Sequence, residues 1–129
     1  MRRLFRNREG SSTVDFAFAA PVLVTLMLGT VQMGVSFHSS GALRHAAGEG
    51  VRLAKVDPSA TDAEVIARVK SELPTMDPDK ITKLTFQRGT TNGADYGEVT
   101  IEYRVDPIIP LLPVPPVTLS ETKKAWLPQ

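Results

Sequence analysis

The sequence has no cysteine, only two histidines, few aromatic residues (5 Phe, 2 Tyr and 1 Trp in 129) and almost no charge imbalance. Without cysteine there is no disulfide scaffold, no thiol nucleophile and no thiolate metal or iron–sulfur site. The compartment stays open, because exported proteins need not carry disulfides. With 15 Lys+Arg against 14 Asp+Glu, the net charge of +1 argues against a coat for nucleic acid. His38 and His45 stand seven residues apart, two turns along a straight helix, which is a poor spacing for a shared metal. Asp77-Pro78-Asp79 lacks the spacing of a calcium loop and reads as a turn. No nucleotide loop, HExxH or GxSxG pattern occurs. The expectation is a protein that is no enzyme and holds no metal or cofactor.

Charge is also missing locally, and there its absence is informative. Residues 16–37, FAFAAPVLVTLMLGTVQMGVSF, carry no charged side chain. As a helix these 22 positions measure about 33 Å, enough for a hydrocarbon core of about 30 Å. Arg2, Arg3, Arg6 and Arg8 precede the run against Glu9 alone, so the positive-inside bias places the N-terminus in the cytoplasm and exports the chain beyond residue 40. Residues 44–129 hold 11 Lys+Arg and 12 Asp+Glu, the mixed surface of a small soluble domain. A secretory signal cut near Ser40-Gly41-Ala42 would need a shorter apolar stretch. A buried core helix would need more chain than this to cover it on every face. A plain single-pass anchor remains open.

Asp15 does not suit a plain anchor. A carboxylate at the lip of the run costs on the order of 2.5–3.5 kcal/mol if drawn to the bilayer centre. It is cheap only at headgroup level or in the first helical turn, where it complements the macrodipole. Its surroundings are a short basic leader ending in Gly10, then Ser11-Ser12-Thr13-Val14, then Asp15-Phe16 and the apolar helix.

This N-terminal pattern resembles the class III signal of type IV pilins and pseudopilins, in which a prepilin peptidase cuts after a Gly and an acidic residue stands fifth in the mature chain. Counted from Ser11, the fifth residue is Asp15, where the family ordinarily has the longer Glu. The segment 39–56, SSGALRHAAGEGVRLAKV, is similar to the segment after the membrane helix in TadE-like pseudopilins of the Tad/Flp pilus. Its Ala46-Ala47-Gly48-Glu49-Gly50-Val51-Arg52 corresponds to an "AAREGAR"-type pattern. Pro21 and the proline-rich 99–116 region agree. The resemblance implies a processing site at Gly10 and Ser11, and recognition and subunit register at Asp15 and Phe16. It implies as partners the prepilin peptidase, other pilin or pseudopilin subunits, an inner-membrane assembly platform and the lipid bilayer, with no nucleic acid.

Each element has a physical reason. Cutting after Gly10 removes four arginines and one glutamate, a net +3, and creates an ammonium at Ser11 that can pair with an Asp15 carboxylate. Pro21 breaks a helical hydrogen bond, which a membrane helix tolerates, usually with a kink. Gly29, Gly34, Ser36 and Ser40 line the later span with small side chains, and Ser36 with Ser40 forms a small-xxx-small pair that permits close helix approach.

Beyond the span, Leu43, Ala47, Gly50 or Val51, and Ala54 recur at helical spacing, which predicts a stalk continuing to about Val56 and ended by Asp57-Pro58. Thr61-Asp62-Ala63-Glu64 is a capping-box pattern opening a second helix, with Val65, Ile66, Val69 and Leu73 on one face and Pro74 at its close. Leu84 and Phe86 mark one strand; Val99, Ile101, Tyr103 and Val105 mark a stronger one, across a polar loop containing Thr91-Asn92-Gly93. Residues 107–116 read as an extended connection and 117–125 as a third strand, with Val117 and Leu119 facing inward. The expected fold is α+β and pilin-like: a basic leader (1–10), a transmembrane and stalk helix (11–56), and an exported domain (57–129) with one short helix and a three-stranded antiparallel sheet. The expected role is a prepilin-like subunit of a Tad/Flp-type pilus; the alternative is an unprocessed single-pass anchor with an exported partner-binding domain.

Overall fold

Asp57-Pro58 is the first point at which the chain after the apolar run cannot stay helical, because a proline disfavours the α conformation of the residue before it. In the computed structural model, which describes residues 9–108 and 114–128, the consequence is one unbroken helix, α1, Glu9–Val56. Its 48 residues extend about 72 Å. Residues 1–8 of the leader and 109–113 of the proline-rich connection lie outside the described residues, as do the side chains of residues 9–11. Asp57 ends α1 as well as preceding the proline: its side chain accepts from the Ser59 N–H at 2.9 Å.

The second helix, α2 (Asp62–Ser71), starts at the capping box read from the sequence. The Thr61 N–H donates to Glu64 Oε2 at 2.7 Å and the Glu64 N–H to Thr61 Oγ1 at 3.3 Å, so two otherwise orphaned donors are satisfied. Val65 and Val69 are fully buried against α1, and Leu73 comes next on the same face. A one-turn 3-10 helix, Pro78–Lys80, then leads into the sheet; the Asp79 N–H donates to the Asp77 carboxylate, which makes the Asp-Pro-Asp segment a turn.

The sheet is antiparallel in the order β1 (Ile81–Thr91), β2 (Ala94–Val105) and β3 (Val117–Trp126). The strands of the first hairpin are longer than their hydrophobic marks suggest, because Asn92 (φ 53°) and Gly93 (φ 78°) form a two-residue turn that pairs Thr91 directly with Ala94. The polar residues 87–98, expected as loop, are therefore strand apart from that turn. Val99, Ile101, Tyr103 and Val105 alternate into the core. On β3, Leu119 is half-buried, but Val117, expected to face the core, is 48 % exposed. It pairs with Val105 on the core-facing side and lies at the rim of the sheet, where less packs over it.

The core forms on one half of α1. Leu43, Ala46, Ala47 and Ala54 are fully buried beneath α2 and the sheet. Gly50 is the closest approach: a Cβ there would run into Val69 of α2, press on Val99 of β2 and come into contact with Val65 of α2. Gly50→Val is therefore expected to destabilise the domain by about 1–3 kcal/mol through overpacking. Thermal unfolding of the full chain in detergent micelles, followed by circular dichroism, checks this; an unchanged midpoint would refute the three-way contact.

Candidate functional site

In the first half of α1 no described side chain is buried, and Gln32 at its end is held by residues 106 and 108. The apolar side chains, from Val14 through Met33, stand open, with Phe16 at 71 % and Phe18 at 76 % exposure. The helix is long and apolar enough to cross a membrane, and none of its most apolar 18-residue window is buried. Asp15 is exposed on this bare stretch, and no salt bridge among the described residues includes it. Gly10 and Ser11 fall in the first turn of α1, where backbone N–H groups have no helical acceptor and fraying is cheap. An extended conformation of the Gly10–Ser11 peptide is therefore accessible at small cost.

The span's uncharged polar side chains are satisfied by their own helix or by one outside segment. Thr25 Oγ1 donates to the Pro21 carbonyl at 2.8 Å, Thr30 Oγ1 to Leu26 at 2.9 Å, and Ser36 Oγ to Gln32 at 3.0 Å. These bonds let hydroxyls enter hydrocarbon at little cost. The helix assignment continues through Pro21 without interruption. A Cβ at Gly29 or Gly34 would meet nothing within 4 Å, so no contact within the chain requires glycine at either place.

Two polar anchorages tie α1 to the domain. Gln32 accepts at Oε1 from the Ile108 N–H at 2.9 Å and donates through Nε2 to the Asp106 carbonyl at 3.4 Å. Further along, Glu121 of β3 accepts from Ser40 Oγ at 2.7 Å and from Arg44 at 3.1 Å. The structure thus places Ser40 in the seam between stalk and sheet, bonded within its own chain. Sequence reasoning missed both Gln32 and Glu121. The available signals were an amide inside an otherwise amide-free apolar run, and a glutamate at the same strand parity as Leu119.

The electrostatics of these anchorages come from their partners. The Ser40 hydroxyl first, and then the Arg44 guanidinium, hold the Glu121 carboxyl below the usual glutamate range. Arg104 and then Lys80 do the same for Asp106, at 2.8 and 3.2 Å. Elsewhere, the open hollow at the far end of the sheet is lined by Arg88, Thr90 and Asp95, among others. Arg88 there bonds Asp62 and the Ala60 carbonyl, and Thr90 bonds Asp95, which are structural uses. Among the described residues no three His, Cys, Asp or Glu side chains cluster closely enough to hold a metal ion.

Comparison with known proteins finds a similarity confined to the helix. The family model of TadE-like proteins matches residues 10–52, from Gly10 through Arg52, which includes Asp15, the whole bare segment and most of the stalk. The matched segment is about a third of the chain and does not reach α2 or the sheet. No curated protein and no solved structure matches.

Because the Glu121 carboxyl is depressed, its contribution is fully present above the ordinary glutamate value of about 4.3 and is lost as the pH falls through the lower folded-state value. The melting midpoint of the full chain in micelles should therefore fall more steeply with acidification than that of Glu121→Gln. Equal pH profiles would show that the seam does not depend on this carboxylate.

Proposed function

With residues 10–52 TadE-like as the premise, we propose that the chain is a prepilin-like structural subunit, processed by a prepilin peptidase and used in the assembly or initiation of a Tad/Flp-type pilus. The observation that carries this reading is a bare, membrane-length helix with one carboxylate, Asp15, four residues beyond Ser11 and within about a helical turn of the Gly10–Ser11 junction. Such a helix needs a partner for its charge and an apolar environment for its surface.

Before processing, the basic leader holds the N-terminus on the cytoplasmic side, in a single-pass arrangement at the inner membrane with the sheet domain exported. Removal of the leader frees an ammonium at Ser11. Ser11 and Asp15 stand at i and i+4, so the new charge can pair within one helix or with Asp15 of a neighbouring subunit. At low effective dielectric that attraction is far stronger than in water, and the carboxylate sets axial register between subunits. Its partners are the prepilin peptidase, other pilin or pseudopilin subunits, the assembly platform and lipid. The work of the protein is assembly, without a reaction of its own.

The competing reading is an unprocessed anchor whose exported domain binds a partner, and the length and bareness of α1 suit it equally. N-terminal mass spectrometry of protein from native membranes, with and without the cognate peptidase, separates the two. A peptidase-dependent start at Ser11 supports the subunit; an intact N-terminus in both cases supports the anchor. Asp15→Ala should remain membrane-inserted yet lose incorporation into sheared pili by at least about tenfold, equivalent to about 1.4 kcal/mol. Undiminished incorporation would remove Asp15 from the register role.

A further inference from the structure

The end of the charge-free run does not mark where α1 meets the aqueous side. The charge-free run extends to Phe37. Yet Gln32 already holds residues 106–108 against the helix, and Asp106, ion-paired with Arg104 and Lys80, stands at that same level. Three charged groups do not belong in hydrocarbon. The boundary with the aqueous side therefore lies near Gln32. Counting back from it, residues 12–31 make 20 positions, about 30 Å of helix, which is the thickness of the hydrocarbon core.

Apolar side chains occupy the rim of the domain at this level. Ile108, whose N–H is held by Gln32, is 43 % exposed; Val117, opposite Val105 just before that segment, is 48 % exposed, and Val114, three residues before Val117, is 40 % exposed. Exposure to water is unfavourable for such a group; a position beside the helix exit puts it against acyl chains instead. Arg104 and Lys80 sit beside Asp106, at the depth of lipid phosphates.

Resting on the reading of α1 as a membrane span, we propose that the rim formed by Ile108, Val114 and Val117 is seated in the headgroup–acyl boundary of the outer leaflet of the bilayer, with Gln32 as the clamp that fixes its depth. The occupant of this surface is lipid, because the rim is continuous with the lipid-facing surface of α1 through the bonds of Gln32. The same register puts Asp15 about 5 Å inside the opposite face of the hydrocarbon core, so its charge is drawn into the bilayer unless paired.

The absence of cysteine makes the test direct. The full chain, reconstituted in phosphatidylcholine–phosphatidylglycerol vesicles, is labelled with an environment-sensitive fluorophore at Val24→Cys, Ile108→Cys or Asn92→Cys. Lipids brominated at shallow or deep acyl positions serve as quenchers. Val24 should be quenched by deep bromines, Ile108 by shallow ones and Asn92, at the hairpin tip, by neither. Adding Gln32→Ala should reduce Ile108 quenching several-fold and leave Val24 unchanged. An Ile108 label as unquenched and water-exposed as Asn92, beside a quenched Val24, overturns the seating alone. An Ile108 label shielded from water yet unquenched shows a protein partner at the rim and overturns it too. A Val24 label without quenching overturns the membrane span itself, and the seating with it.

Discussion

The close approach at Gly50 is the constraint on which the rest of the structure depends. With no side chain at that position and alanines at 46, 47 and 54, the stalk half of α1 offers a narrow surface onto which Val65 and Val69 of α2 and Val99 of β2 can all press. Burying these small groups adds little hydrophobic energy by itself. What it permits is a short distance between backbones, so that larger residues such as Leu43 and Ile101 are fully enclosed. A domain of this size has few other sources of core, and the same surface could not have been built on the bulky residues of the apolar run.

Charge reinforces that packing without replacing it. Glu49 of the stalk meets Arg52 on its own helix and Arg68 of α2, and Arg68 also meets Glu72, so charges of alternating sign lie along the groove between the helices. The Arg52 contact chiefly, with Arg68, lowers the Glu49 carboxyl. Exposed pairs of this kind are worth little individually, and their more important effect is to fix how α2 lies along α1 once the valines have brought it there.

Much of this was legible from local chemistry. The capping box at Thr61 and Glu64, the stop at Asp57-Pro58, the alternation through Val99 to Val105 and the asparagine–glycine turn each act over a few residues, and each stands where its pattern indicates. The extents of the strands were less legible, because residues 87–98 are polar and pair by register imposed from the turn instead of by their own hydrophobicity. Ser40 looked like one of a series of small residues suited to helix packing. It also bonds Glu121, 81 positions away, and such a contact has no local signature. Gln32 is similar: its amide announces that a partner is needed, but only the fold identifies residues 106–108.

The continuity of α1 has a mechanical consequence. Between Gln32 and Val56 the helix is unbroken, and it is fastened to the sheet domain at both Gln32 and Ser40. Span and domain therefore move as one piston. Displacing the helix along its axis by a single turn carries these two fastenings with it by about 5.4 Å.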